Sequence, residues 1–342
     1  MAQDRKHLLI VDDTEIDRLI LKSILNADFD VDEADNGNTA FEYITTKGEH
    51  LDAILLDISM PHIDGFDVLQ FMKDKDTMEI PVFLVTAEPT RENVERALQY
   101  SNVAEFIGKP FDKEDILRRL RSRLGVLPQY DPQKGQMQET MKYIADLEGF
   151  YKKYLANFGK NDEHYKTLEG LMTLLLNSYS RNSRGGRLEE DAIKLISKAA
   201  YFCDIGEILI PEKRLQRHSG KEQQQDLHKT HAELGAALIR LNRSEKCSFF
   251  VEVCSSMCLH HHERYDGKGY PDHIIGKNNS IYNQMCRLVD EFEQRRSKFY
   301  GDKSKPVSFV IKRLINDDVG MVSPELYSIL EDCEKQIFNY FM

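Results

Sequence analysis

Short apolar runs alternate with amphipathic stretches through the first 125 residues. Continuous apolar runs of this length are typical of buried parallel strands, and the segments between them are long enough for crossover helices. The five predicted strands are HLLIVDD at His7–Asp13, the weaker FDVDEA near residue 30, AILLD at Ala53–Asp57, PVFLVTA at Pro81–Ala87 and AEFIG at Ala104–Gly108. This pattern predicts an α/β domain of the (βα)5 doubly wound type, with its functional site at the carboxyl ends of the strands.

The pattern changes after Gly125. The segment LPQYDPQKG, Leu127–Gly135, contains two prolines and a glycine and predicts the end of the first domain's last helix. Apolar residues then recur at steps of three and four, which indicates a helix; they are Met137, Met141, Ile144, Leu147, Tyr151, Leu155 and Phe158. Either this stripe packs against its own domain, or it forms a dimerisation helix that connects the two domains.

From Tyr165 to Met342 the pattern is helical, except for the polar, glycine-bearing segment ERYDGKGYPDHIIGKNN. The predicted organisation is therefore an α/β domain at residues 1–126, a linker and connector helix at 127–164, and an all-α helical bundle at 165–342.

Charge and cysteine content divide the chain at the same place. Residues 1–125 hold 15 Lys and Arg against 26 Asp and Glu, so this part carries the whole net charge of −11. The local excess of acid indicates a site built from carboxylates and argues against DNA as a partner. All six cysteines lie in the second part without a CxxC pair, which argues against a zinc knuckle or a disulfide framework. Because no long uncharged apolar stretch occurs, we expect a cytoplasmic protein that does not enter a membrane.

Polar residues follow four of the predicted strands: Asp12, Asp13, Asp57, Thr86 and Lys109. Since the carboxyl ends of adjacent parallel strands converge at one edge, three carboxylates should crowd beside one ammonium group. A hard divalent cation such as Mg²⁺ relieves the repulsion between carboxylates. A carboxylate next to Mg²⁺ can attack a phosphoryl group, with Lys109 and the Thr86 hydroxyl placed to meet the phosphoryl oxygens.

This part of the chain resembles the receiver domain of two-component response regulators. The matching residues are VDD at Val11–Asp13, DISMPHIDG at Asp57–Gly65, Thr86, and KPF at Lys109–Phe111. The resemblance implies that Asp57 accepts a phosphoryl group from a sensor histidine kinase and that Asp12, Asp13 and Asp57 bind Mg²⁺. It also implies that Thr86 and Phe106 form the switch pair.

Histidines and acids cluster in the second part of the chain. His231, the run His260–Glu263 and Asp204 supply nitrogen and oxygen ligands of the kind that suit Fe, Mn or Zn. Downstream, RYDGKGYP places Gly267 and Gly269 before Tyr270, in a turn where the backbone can approach a ligand closely.

Here the sequence resembles the HD-GYP family, whose active members hydrolyse cyclic di-GMP at a centre of two or three metals. The matching segments are HHERYDGKGYP at His261–Pro271, KTHAELG around His231, LVDEFE with Asp290, and SPEL at Ser323–Leu326. By this resemblance one metal is held by four residues, Asp204, His231, His261 and His262. The loop with Gly267, Gly269 and Tyr270 would contact a dinucleotide or a partner protein, such as a diguanylate cyclase-type domain.

Two departures from the family pattern concern a second metal. Where the family has His-Asp-Ile-Gly-Lys, this chain reads Cys203-Asp204-Ile205-Gly206-Glu207. The family also has an upstream histidine, and His164 lies about seven residues too early, which displaces a helical side chain by roughly 10 Å. We therefore expect an incomplete second-metal set, for which Asp290, Cys203 and either Glu207 or Glu169 are the remaining candidates.

These features predict a response regulator in which phosphorylation of Asp57 controls a degenerate HD-GYP output domain. That domain would act in cyclic di-GMP signalling by binding, with weak or no hydrolysis. The alternative is an active, metal-dependent cyclic di-GMP phosphodiesterase with an atypical metal centre. The helical stripe and the habits of the family also predict a homodimer.

Overall fold

The computed structural model describes residues 5–75, 77–87, 90–126, 137–158, 161–182, 188–210, 221–241, 247–299 and 307–342. The chain divides into two compact units, one ending at Leu124 and the other beginning at Gly125. The predicted linker Leu127–Gly135 lies outside the described residues. No helix among the described residues is both long enough and apolar enough to cross a membrane.

The first unit is a five-stranded parallel sheet with helices between the strands, so the predicted (βα)5 fold is confirmed. The strands are β1 His7–Val11, β2 Asp30–Ala34, β3 Ala53–Asp57, β4 Val82–Thr86 and β5 Val103–Gly108. The helices are α1 Glu15–Leu25, α2 Gly37–Lys47, α3 Gly65–Asp74, α4 Arg91–Ala97 and α5 Lys113–Leu124. The order of strands across the sheet is β2-β1-β3-β4-β5.

The position of each strand in the sheet explains how clearly its apolar pattern could be recognised in the sequence. Every residue of the inner strands β3 and β4 is buried, which matches their continuous apolar runs. Strand β2 lies at an edge of the sheet, and of its five residues only Ala34 is buried. The polar character of FDVDEA therefore follows from its place in the sheet.

The second unit is helical in its described parts, as predicted. Its α-helices are α6 Met137–Asn157, α7 Glu163–Asn182, α8 Glu190–Ala200, α9 Lys221–Leu241, α10 Ser248–His260, α11 Ile281–Phe299, α12 Val307–Asp317, α13 Pro324–Asp332 and α14 Glu334–Phe341. The segment ERYDGKGYPDHIIGKNN contains no α-helix; it has one antiparallel bridge, Asp266 to Ile275, and a short 3₁₀ turn, Gly276–Asn278.

The apolar stripe of α6 faces its own unit. Ile144, Tyr151 and Leu155 are buried in the core of the helical unit, and Met137, Met141 and Leu147 pack partly buried against the same core. Of the two interpretations, packing within the domain is therefore what the structure shows. The stripe gives no separate support for the predicted homodimer.

Candidate phosphorylation pocket and metal centre

The register of the sheet places Asp12 beside Asp57. Val11, the last residue of β1, pairs with Leu56 in β3, so the next residues of the two strands emerge side by side. Asp12 is 1% exposed and Asp57 is 4% exposed, whereas Asp13 is exposed to solvent. The Nζ atom of Lys109 lies 2.9 Å from a carboxylate oxygen of both Asp12 and Asp57.

This pocket concentrates negative charge around one ammonium group. Burial raises the pKa of Asp12, and the neighbouring carboxylate of Asp57 raises it further. Burial alone would lower the pKa of Lys109, but its hydrogen bonds to Asp17, Asp57 and Asp12 outweigh burial and raise it. Lys109 therefore stays charged. Two buried carboxylates with an exposed third form the oxygen donor set that a hard cation prefers, so these residues fit Mg²⁺.

Asp17 is a member of this pocket that sequence reasoning missed. One of its carboxylate oxygens lies 2.8 Å from Lys109 Nζ, as close as those of the predicted residues. Asp17 lies in the first turn of α1, directly after the strand end that carries Asp12. This position in the sequence could have indicated that Asp17 belongs to the pocket, because the first turn of the helix after a strand lies at the same edge of the sheet.

Thr86 and Phe106 lie on adjacent strands. Thr86 ends β4 and pairs with Gly108, whereas Leu84 pairs with Phe106. Because residues two apart on a strand share a face, Thr86 and Phe106 are diagonal neighbours. Phe106 packs partly buried against the core of the sheet unit. This arrangement is compatible with a switch pair and equally with ordinary core packing.

In the helical unit four predicted ligands come together. The ligand atoms of Asp204, His231, His261 and His262, here called the quartet, all lie within 4.8 Å of one another. Asp204 Oδ1 is 3.3 Å from His231 Nε2 and 3.2 Å from His261 Nε2. His262 Nε2 is 3.2 Å from His231 Nε2.

Three local structures bring the quartet together. Asp204 immediately precedes the 3₁₀ turn Ile205–Leu209, His231 lies on α9, and the last two histidines follow α10. The turn packs so closely on α9 that a Cβ atom at Gly206 would lie 1.9 Å from the carbonyl oxygen of His231. Glycine after Ile205 is therefore needed for Asp204 to reach the histidines.

Burial and mutual hydrogen bonds shift the pKa values of three quartet residues in different directions. Burial would raise the pKa of Asp204, but its hydrogen bonds with His231 and His261 lower it well below the ordinary value. Burial opposes protonation of His261, yet its bond with Asp204 raises the pKa of His261 to about 9. Burial and the neighbouring His261 lower the pKa of His262. The metal-free quartet therefore holds an ion pair between Asp204 and His261.

This ion pair is expected to make the stability of the metal-free protein depend on pH. The pKa of His261 rises from 6.5 to about 9, so its stabilisation is complete below pH 6.5 and is lost as the pH rises through about 9. The pKa of Asp204 is lowered instead, so its contribution is lost only in acid. The melting temperature of protein treated with a chelator should fall between pH 6.5 and pH 9. A His261→Gln variant should show a flatter profile, and an equally steep one would contradict this assignment.

The quartet also suits a metal by its donor chemistry. The Nδ1 atom of His261 lies 3.0 Å from the carbonyl oxygens of both Met257 and Cys258, so Nδ1 carries a proton and Nε2 faces Asp204. Three imidazoles with one carboxylate fit Fe, Mn or Zn. Asp204 keeps 21% of its side chain exposed while His261 keeps 1%, so the quartet opens to solvent at its carboxylate.

His164 was expected to lie too early in the sequence to serve a second metal, and the structure places it beside Asp290, one of the second-metal candidates. Its Nε2 atom is 3.5 Å from Asp290 Oδ1, and the hydrogen bond with Asp290 outweighs burial and raises the pKa of His164. Helix α7 begins at Glu163 and packs against α11, which carries Asp290. Counting residues along one helix could not show that this packing brings the first turn of α7 to Asp290.

Two other candidate ligands for a second metal, Cys203 and Glu207, lie outside the compact group of ligand atoms. Cys203 is fully buried, and its hydrogen bond with Cys286 together with burial raises the pKa of the thiol, so it remains protonated. The backbone carbonyl of Glu207 accepts a hydrogen bond from the Tyr154 hydroxyl at 3.1 Å. Within the described ranges, the compact group of ligand atoms consists of the quartet and includes neither residue.

The loop after the histidines is held by its own chain. A Cβ atom at Gly269 would lie 2.3 Å from the backbone nitrogen of Arg264, so a glycine is needed at this close approach of two backbone segments. Gly267 has a φ of 74°, which favours glycine. The Tyr270 ring stacks on His262 with a centroid distance of 4.7 Å, which places Tyr270 at the quartet.

Two further residues lie near the quartet: His260, which belongs to the histidine run noted in the sequence, and Arg287, which sequence reasoning did not single out. His260 is fully buried and pairs with Asp272, at 3.0 Å between Nε2 and Oδ2, which keeps it outside the quartet. Arg287 Nη1 lies 3.1 Å from His262 Nδ1. The available signal for Arg287 was its position on α11, three residues before Asp290 and so near it on the helix surface.

Comparison with known proteins agrees with this division of the chain. Residues 8–121 match the family model of the response regulator receiver domain, and residues 171–314 match that of the HD domain. A cyclic di-GMP phosphodiesterase of Thermotoga maritima is 25% identical across 98% of this chain and 92% of its own. The cyclic di-GMP phosphodiesterase response regulator RpfG of Xanthomonas campestris pv. campestris is 24% identical across 84% of this chain and 77% of its own. The two-component response regulator ORR5 of Oryza sativa is 30% identical across 33% of this chain and 84% of its own.

Proposed function

The chain belongs to the response regulators that join a receiver domain to an HD domain, and from this premise we propose that phosphorylation of Asp57 controls an output domain that binds cyclic di-GMP. Binding takes place at a one-metal centre, with weak or no hydrolysis. The observation that carries this proposal is the contrast between the complete quartet and Cys203, a buried thiol at the position where the family has a histidine.

The receiver pocket supports phosphorylation by its geometry. Asp57 is the nucleophile, because it ends β3 beside Asp12 and its carboxylate contacts Lys109. Asp12, Asp13 and Asp57 would hold Mg²⁺, which would neutralise charge on the phosphoryl oxygens. Lys109 and the hydroxyl of Thr86 meet oxygens of the phosphoryl group once it has been transferred to Asp57.

The output site supports binding through the quartet and the ring of Tyr270. Asp204, His231, His261 and His262 would hold a divalent ion, which would act as a Lewis acid on an oxygen of the phosphodiester. Hydrolysis by paired metals requires a second ion to stabilise the developing charge. Because the thiol of Cys203 is buried and stays protonated, we expect that second ion to be weakly held or absent. The choice of cyclic di-GMP rests on the names of the relatives.

One observation favours hydrolysis as a second candidate function. His164 and Asp290 lie 3.5 Å apart, so two residues of nitrogen and oxygen chemistry are available for a second metal. In this alternative the second ion is held without the histidine that Cys203 replaces, and the chain is an active cyclic di-GMP phosphodiesterase.

Metal content and turnover of the purified full chain separate the two functions. The proposal predicts one Mn²⁺ or Fe²⁺ per output domain, binding of cyclic di-GMP, and turnover at least about 100-fold below that of an ordinary phosphodiesterase. A Cys203→His variant should bind a second metal and gain turnover, whereas Cys203→Ser, the matched control, should gain neither. Two metals in the wild-type chain, ordinary turnover, and loss of activity in His164→Ala would instead establish the phosphodiesterase.

A further inference from the structure

Glu263 is a fully buried acid whose carboxylate binds the backbone of the loop that follows it. One carboxylate oxygen accepts a hydrogen bond from the backbone nitrogen of Asp272 at 2.6 Å, and the other accepts from the backbone nitrogen of Ile274 at 3.1 Å. An N–H group that is removed from water is costly without an acceptor. Both oxygens of Glu263 are therefore needed to hold this stretch of backbone.

The backbone of Glu263 meets the same loop on the other side of Tyr270. A Cβ atom at Gly269 would lie 2.4 Å from the Cα atom of Glu263, so the two backbone segments are in close contact there. Only two residues separate Gly269 from Asp272, and the second of them is a proline, whose φ is restricted. Glu263 therefore fixes the chain on both sides of Tyr270.

This anchoring places the ring of Tyr270 on His262. The two rings stack with a centroid distance of 4.7 Å and an interplanar angle of 23°. The backbone nitrogen of Tyr270 also lies 3.4 Å from the carbonyl oxygen of His262. Glu263 itself is outside the compact group of ligand atoms, and both of its carboxylate oxygens bond to loop backbone. Its side chain therefore acts on the site through the loop.

We propose that Glu263 is a positioning residue that holds the ring of Tyr270 on His262 before a ligand binds. The two hydrogen bonds to the backbone keep the loop in one conformation, so binding does not have to order the ring. An aromatic ring in a fixed place can stack on a base of cyclic di-GMP. Only this contact with a base rests on the proposed function.

Hydrogen exchange of the wild-type full chain tests the two anchoring bonds. The amide protons of Asp272 and Ile274 should exchange slowly with solvent, although Asp272 is an exposed residue. Fast exchange of both amide protons would refute the anchoring by Glu263. Because this measurement uses the wild type, it decides the matter even if a variant does not fold.

Tryptophan fluorescence tests the position of the ring without any ligand. The sequence contains no tryptophan, so Tyr270→Trp introduces a single reporter. Glutamine has the shape of glutamate but offers one oxygen and one NH₂ group, so Glu263→Gln leaves one backbone N–H facing a donor. Adding Glu263→Gln should roughly double the acrylamide quenching constant of the indole, because the loop opens more often. Equal quenching in the two chains would overturn the proposal.

A double-mutant cycle tests whether Glu263 acts through Tyr270. In the Zn²⁺-loaded chain, Glu263→Gln and Tyr270→Ala should each lower the affinity for cyclic di-GMP by about tenfold, measured by calorimetry. In the Tyr270→Ala background, Glu263→Gln should cause no further loss, since two residues that act through one contact are not additive. Additive losses would mean that Glu263 has a role independent of the ring and would contradict the proposal.

Two further measurements separate positioning from general damage. Glu148→Gln makes the same change at a partly buried carboxylate on α6 that pairs with Lys152 and Lys198, and it should alter neither the quenching nor the affinity. The Zn²⁺ affinity of Glu263→Gln should stay within about threefold of the wild type. Equal losses of Zn²⁺ and cyclic di-GMP affinity would place the effect on the quartet and refute the positioning of Tyr270.

The outcomes also separate this inference from the proposed function. If the wild-type chain does not bind cyclic di-GMP, the proposed function fails and the contact with a base fails with it. The hydrogen-exchange and quenching measurements need no ligand, so they still decide whether Glu263 positions the ring of Tyr270.

Discussion

Replacing Asp57 by asparagine should abolish phosphorylation of the chain by a small phosphodonor such as acetyl phosphate in the presence of Mg²⁺. The amide lacks the anionic oxygen that attacks phosphorus, Asp17 is already paired with Lys109, and Asp12 and Asp13 have surroundings that differ from those of Asp57. Asp12 is buried and also bound to the backbone nitrogen of Thr14, whereas Asp13 is exposed. Intact-protein mass spectrometry should therefore show a gain of one phosphoryl group in the wild type and none in the variant.

The control for this experiment is Asp74→Asn, which makes the same change at the exposed end of α3. It should be phosphorylated like the wild type. Stable phosphorylation of Asp57→Asn at another carboxylate would contradict the assignment of Asp57. Loss of phosphorylation in Asp74→Asn would show instead that the assay responds to general damage of the domain.

Replacing Asp204 by asparagine should lower the affinity of the output domain for Mn²⁺ or Zn²⁺ by about 100-fold or more. Asp204 is the only carboxylate of the quartet and contacts both His231 and His261. Without its negative charge, a dication would be surrounded by three neutral imidazoles. Calorimetry and metal analysis after dialysis measure this loss.

Glu207→Gln is the matched control, since it changes a carboxylate to an amide three residues along the chain and outside the quartet. It should keep the affinity of the wild type. Equal losses in the two variants would mean that Glu207 is also a ligand, and retention of metal by Asp204→Asn would remove the quartet as the binding site.

The phosphorylation pocket was largely predictable because most of its residues lie at strand ends. A strand end is marked by a local change from apolar to polar residues, and parallel strands bring such ends to one edge. Asp12, Asp57 and Lys109 meet for this reason. Asp17 was missed because it lies on a helix, and only the strand ends were searched for members of the pocket.

The second site was predictable only in part. Its four quartet residues were found from a sequence motif, and the structure brings them together. The contact between His164 and Asp290 was not predicted, because a helical residue count describes one axis whereas this contact depends on how α7 packs on α11. In the same way, only the packing of α6 on the core of the helical unit shows that its apolar residues face that core.

The sequence by itself therefore determined the two kinds of domain and most of the residues that carry their chemistry, because periodicity and strand ends are local properties of the chain. Only the tertiary structure decided which side chains share a partner. Asp17 at Lys109, His164 at Asp290 and Arg287 at His262 are each contacts between separate elements. Such contacts depend on the packing of whole elements, which local spacing does not specify.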